Sequence, residues 1–105
     1  MVVTFEEDYL LELYEFGKCS DKKHRYQPEI VRKYRFCIDT LVAAPSVELL
    51  YRINSLRYEV LKGNKAGISS IRVNNQYRIE FTVSSEDMEP VITVCNILEL
   101  SNHYK

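Results

Sequence analysis

The sequence predicts an α+β domain in which two N-terminal helices pack on a small antiparallel β-sheet. Three observations point there. Apolar residues recur at helical spacing through Val42, they alternate with polar residues from Leu56 onward, and Gly, Pro and Asn punctuate the segments between. Helices first and a strand meander second is the order of a layer of helices against a sheet.

At 105 residues the chain reads as one domain, residues 1–105, long enough for its own hydrophobic core. With 46% apolar and 28% charged residues it has the composition of a folded, soluble chain. No apolar run approaches the roughly 20 residues that span a bilayer, so no membrane partner is expected. The start, MVVTFEEDYLLEL, is acidic and lacks the basic region of a secretory signal, which makes the cytoplasm the expected address. Cys19, Cys37 and Cys95 are scattered and odd in number, which argues against a disulfide framework and against a zinc site.

The first helix is read from Phe5, Tyr9, Leu13 and Phe16, with Thr4-x-x-Glu7 as a capping box and Gly17 as its stop. A basic connection, Lys22-Lys-His-Arg25, follows. Pro28 opens the second helix, whose stripe is Ile30, Tyr34, Ile38, Leu41 and Val42 and whose end is Ala43-Ala-Pro45. Val47 to Tyr51 supplies one more short turn. Leu56 to Val60 then alternates as a strand, with Tyr58 and Val60 on one side and Arg57 and Glu59 on the other. Gly63 to Gly67 is a loop. Ser84 to Pro90 reads as a polar connection, and Val91 to Leu98 as a strand buried on both faces.

Between these lies a hairpin, Ile68 to Phe81, with one arginine on each strand. If Ile71, Val73, Tyr77, Ile79 and Phe81 form the apolar face, Val73 must oppose Tyr77. That register leaves Asn74-Asn-Gln76 as a three-residue loop, with an Asn in the left-handed conformation, and sets Arg72 opposite Arg78 on the polar face. A two-residue loop would pair Ile71 with Arg78 and is rejected. Opposed like charges cost about 0.2–1 kcal/mol. Either Glu80 and solvent absorb the repulsion, or both guanidinium forks converge on an anion, for which phosphate is the best match.

The net charge of −1 is unevenly spread: residues 56–81 carry +3 and residues 82–105 carry −3. The central excess permits a polyanion partner although the whole chain does not demand one. Lys62, at a strand end, is expected to sit over the sheet more than Lys65 does. The loop around them lacks nucleotide P-loop spacing. His103, two residues after Ser101, is the histidine best placed for proton transfer, whereas His24, among Lys22, Lys23 and Arg25, reads as a solvated loop residue and at most an RNA-backbone contact. No cofactor and no metal ligand set is indicated.

The run Leu61-Lys-Gly-Asn-Lys-x-Gly-x-x-Ser-Ile-Arg-Val-Asn-x-Gln-Tyr-Arg-Ile-x-Phe81 resembles the signature of HigB-type toxins of the RelE/ParE superfamily. The likeness extends over essentially the whole chain. It implies a RelE/ParE-like, microbial-ribonuclease-like fold and the toxin of a type II toxin–antitoxin pair. It further implies metal-independent cleavage of mRNA in the ribosomal A site and arrest of translation. A HigA-type helix-turn-helix antitoxin would neutralise the toxin, and operator DNA would be reached only through it. The residues implied as catalytic are Lys62, Arg72, Arg78, His103 and Tyr104, with Arg57, Lys65 and Asn102 as RNA contacts. The tail departs from the family's common Asp-Tyr-His: here it reads Asn102-His103-Tyr104, so the histidine's place falls to His103 or Tyr104. Two alternatives share the fold: a ParE-like toxin that inhibits gyrase by binding, and a catalytically weak member working in an autoregulatory DNA-binding complex.

Overall fold

A computed structural model describes residues 1–86 and 90–102. The chain runs β1 (Val2–Phe5), α1 (Asp8–Phe16), α2 (Pro28–Ala43), α3 (Val47–Arg52), β2 (Glu59–Val60), β3 (Ser69–Arg72), β4 (Arg78–Glu86) and β5 (Ile92–Ser101). The sheet order is β1-β5-β4-β3-β2. β2 to β5 form the expected antiparallel meander, and β1 adds a parallel edge beside β5, with Val2 opposite Val94 and Phe5 opposite Ile97.

That edge strand corrects the expected start of the first helix. Thr4 is not a cap; its hydroxyl lies 2.8 Å from Asn96 Oδ1 across the strand pair. The helix begins at Asp8, and Glu7 precedes it with no side-chain cap. Its end is as expected: Gly17 takes φ 73°, where a glycine pays no Cβ penalty, and its N–H reaches Leu13 O at 3.1 Å. Arg35 of α2 donates from Nε to Tyr14 O at 2.9 Å, placing a cation at the negative end of α1.

α2 begins at Pro28 and buries Ile30, Val31, Tyr34, Cys37, Ile38 and Leu41. The buried Tyr34 hydroxyl donates to Leu10 O at 2.7 Å and pins the two helices together. Two members of the expected stripes are instead exposed, Phe16 at 66% and Val42 at 47%. Against the helices lies the apolar face of the sheet, in which Ile71, Ile79, Phe81, Cys95, Ile97 and Leu100 are buried. Burial pushes the Cys37 thiol up to about 11, which leaves it protonated at neutral pH.

Three strand expectations are corrected. Leu56 lies in a 3-10 turn, Asn54–Leu56, and only Glu59–Val60 pairs as a strand. β4 continues through Ser84 and Ser85 to Glu86, so the polar connection is shorter than read. β5 is buried on one face: Cys95, Ile97 and Leu100 face the core while Ile92 is 38% exposed. The strand reads as apolar throughout because Ile92 and Val94 stand on its outward face, ahead of a shift in register. Phe81 opposes Ile97 but Glu80 opposes Glu99, so Leu98 is an extra residue, a β-bulge. The bulge lets Ile97 and Leu100, three apart, share the core face.

Phe81→Ala empties the centre of this layer and should cost about 3–5 kcal/mol. Urea unfolding measures it, and a loss below about 1 kcal/mol would contradict the packing described.

Candidate active site

The hairpin of β3 and β4 has the expected register. Ser70 opposes Glu80, Ile71 opposes Ile79 and Arg72 opposes Arg78. Opposed residues share a face, so both arginines stand on the side away from the helices. The loop closes with Val73 N–H to Tyr77 O at 2.9 Å. No asparagine there is left-handed; among the described residues Arg57 is the one non-glycine with positive φ. Asn74 holds the turn through its side chain, whose Oδ1 accepts from the N–H of Gln76 at 2.9 Å and of Tyr77 at 2.8 Å. An Asx-type turn replaces backbone strain with two hydrogen bonds.

The guanidinium heads are held on different acceptors. Arg72 turns toward its own loop, donating from Nε to Asn74 O at 3.2 Å and from Nη2 to Asn75 Oδ1. It borders a cleft of about 680 Å³ shared with Lys33, Ser55 and the loop residues. Arg78 reaches the other way. Its Nε donates to Ser70 Oγ, and its Nη2 donates to Arg57 O at 2.6 Å and Ser70 O at 3.4 Å. Glu59 lies 3.7 Å from Nη2, and the Arg78 side chain is only 11% exposed. The neutral acceptors fix the direction of the guanidinium, and Glu59 forms a longer ion pair with it.

Lys62 and Lys65 exchange the expected positions. Lys65 lies over the sheet, with Nζ 2.9 Å from both carboxylate oxygens of Glu80, which is 2% exposed. Lys62 is exposed and makes no hydrogen bond or ion pair among the described residues. Gly63, at φ 69°, turns the chain just after Lys62 and swings the next residues back across β3. Arg57 and Asn102 are exposed, and Ser101, beside Asn102, is buried opposite Arg78. His103 and Tyr104 lie outside the described residues.

His24 is better held than expected. Its ring lies flat on Tyr9, with centroids 3.6 Å apart, and Nδ1 is 2.9 Å from Asp21 Oδ2. That hydrogen bond holds the exposed Asp21 carboxyl below the usual range, and burial pushes the Tyr9 phenol up to about 12.

Sequence reasoning missed three contributors: Ser70, the Arg57 carbonyl and the cleft-lining Lys33. Ser70 was recoverable, because period two puts it on the face of Arg72. The face can therefore present two guanidinium groups and an exposed ammonium to an anionic ligand. Among the described residues no group of three or more His, Cys, Asp or Glu is placed to hold a metal ion.

Residues 3–93 match the family model for HigB-like toxin, described as the RelE-like toxin of the type II toxin–antitoxin system HigB. Toxin HigB-1 of Vibrio cholerae serotype O1 is 37% identical over 82 residues, covering 77% of this chain and 82% of that protein. In fold, the chain resembles the YoeB/ParE toxin from Agrobacterium tumefaciens, with a TM-score of 0.55 at 21% identity over 99% of this chain and 100% of that one. It likewise resembles the YoeB dimer from Staphylococcus aureus, with a TM-score of 0.51 at 23% identity over 99% and 98% of the two chains. The backbone thus has the RelE/ParE-like fold. Within that class the chain belongs to the HigB-like toxin family of type II toxin–antitoxin systems. Membership implies an antitoxin partner and a family generally composed of ribonucleases. No described helix is long and apolar enough to cross a membrane.

Lys65→Met leaves the buried Glu80 without its lysine and should destabilise the fold by about 1–3 kcal/mol. Lys62→Met should stay within about 0.5 kcal/mol of the parent. Equal midpoints for the two variants in urea would show that the Lys65–Glu80 pair contributes nothing.

Proposed function

We propose that this toxin is a metal-independent endoribonuclease that cuts mRNA in the ribosomal A site and so arrests translation. One observation carries the reading: Arg78, nearly buried and fixed on Ser70 and the Arg57 carbonyl, shares a face with Arg72 directly across the strand pair. A phosphodiester gains negative charge on its non-bridging oxygens as it is attacked, so cations oriented beforehand stabilise the transition state more than the ground state.

The substrate supplies its own nucleophile in this chemistry. The 2′-hydroxyl attacks the adjacent phosphorus and loses its proton to a base; the bond to the 5′-oxygen breaks and that oxygen takes a proton from an acid. A 2′,3′-cyclic phosphate and a 5′-hydroxyl result. Arg72 and Arg78 grip the phosphate oxygens, and Lys62 adds an exposed ammonium. His103 and Tyr104 move the protons. Arg57, Lys65 and Asn102 contact the flanking RNA, with Lys65 doing so from its ion pair with Glu80. The partners are the ribosome, mRNA and a HigA-type helix-turn-helix antitoxin that also carries the toxin to operator DNA. The cytoplasm is the site of action.

Arg72→Ala and Arg78→Ala should each lower cleavage on programmed ribosomes by about 100- to 1,000-fold. Antitoxin affinity should stay within about tenfold. Cleavage at the parent rate in both variants would exclude the phosphate clamp. Mapping mRNA ends after brief induction separates this reading from a gyrase-binding toxin of the same fold, which would leave no cuts inside codons.

Deleting residues 103–105 should slow cleavage by about 100- to 10,000-fold while changing ribosome affinity far less. Parallel losses in rate and affinity would assign the tail to docking instead.

A further inference from the structure

Arg57 follows the 3-10 turn Asn54–Leu56 with φ 46° and ψ 49°, a left-handed conformation unfavourable for any residue with a Cβ. Its neighbours impose it. Leu56 is 4% exposed in the core. Tyr58 packs on Phe81, with ring centroids 6.1 Å apart, and its hydroxyl lies 2.9 Å from Ser69 Oγ. The chain must reverse between these two anchors within one residue, and the Arg57 N–H closes the turn on Asn54 O at 3.2 Å. Strain of this kind persists where the surroundings over-determine it, and it concentrates at functional sites.

The strained turn delivers one thing to the polar face: the Arg57 carbonyl, 2.6 Å from Nη2 of Arg78. Ser70 accepts from Nε, so two nitrogens of a planar group are fixed and the direction of the whole guanidinium follows. Glu59 adds a longer ion pair to Nη2, at 3.7 Å, from a side chain that is 53% exposed. We infer that Arg57 is a positioning residue acting through its main chain, its left-handed turn aiming a carbonyl that orients Arg78 toward the substrate phosphate. This rests on the nuclease reading of Arg78 and adds a role that the Arg57 side chain does not supply.

The test compares variants that share the loss of the guanidinium but differ in backbone preference. Arg57→Gly and Arg57→Val should raise KM for programmed ribosomes to the same extent. Glycine enters positive φ freely and valine resists it. The valine variant should therefore show a kcat about 10- to 100-fold below that of the glycine variant, the scale of a small displacement of a catalytic group. Arg57→Asn, which tolerates the left-handed region, should follow glycine, and Arg57→Ala should fall below both. The Asn–Ala pair decides the matter if the valine variant does not fold. Identical kcat for Gly, Asn and Ala, alongside an inactive Arg78→Ala, would overturn the positioning role alone. An Arg78→Ala variant that cleaves at the parent rate would remove the nuclease reading beneath it.

Discussion

The register of the β3–β4 hairpin is the constraint from which the polar face follows. It is set twice over. Burial of Ile71, Ile79 and Phe81 fixes which side faces the helices, since a slip of one residue would move the whole apolar set into water. Asn74 then fixes the loop length by accepting from two successive N–H groups. With both in force, Arg72 and Arg78 must oppose each other. Their repulsion is of order 1 kcal/mol or less, small beside the burial of three large apolar side chains, about 1.5–3 kcal/mol each. The core decides, and the cations accept the arrangement it dictates.

Charge on that face is separated by task. Lys65 neutralises Glu80, whose carboxylate is nearly inaccessible to water, while Arg78 donates to uncharged oxygens of Ser70 and Arg57 and keeps a longer ion pair with Glu59. A chain with net charge −1 can thus present local positive potential without a basic surface overall. The same economy appears around His24, where Asp21 and the Tyr9 ring order a loop whose lysines stay exposed.

Much of this was legible in the sequence because the informative periods are local. Alternation gave the hairpin, Gly17 and Pro28 marked the ends of helices, and Ser70 to Arg72 to Arg78 fell on one face by counting. The features that were not legible depend on distant or conformational events. β1 pairs with β5 some 90 residues away, and four residues ending in Thr-Phe look no different from a helix start. Ile92 and Val94 put apolar side chains on the outward face of the last strand, which therefore reads as buried on both, and nothing in its composition marks Leu98 as an extra residue. The left-handed turn at Arg57 comes from anchors on either side of it, and no propensity of arginine announces it. Lys65 displaced Lys62 because a buried carboxylate needed a partner, and the sequence does not reveal that Glu80 is buried.

The extra residue in β5 also governs handedness of exit. Ile97 and Leu100 both point to the helices only because Leu98 is unpaired, and this turns Ser101 toward Arg78. Were Leu98 paired instead, parity would invert and Leu100 would swing outward; delete Leu98 and the bulge closes, with Glu99 still opposite Glu80, Leu100 still on the core face and Ser101 still opposite Arg78. The spare residue therefore makes the strand tolerant of one deletion, whereas an added residue near Leu98 would have to enlarge the bulge or turn Leu100 into water.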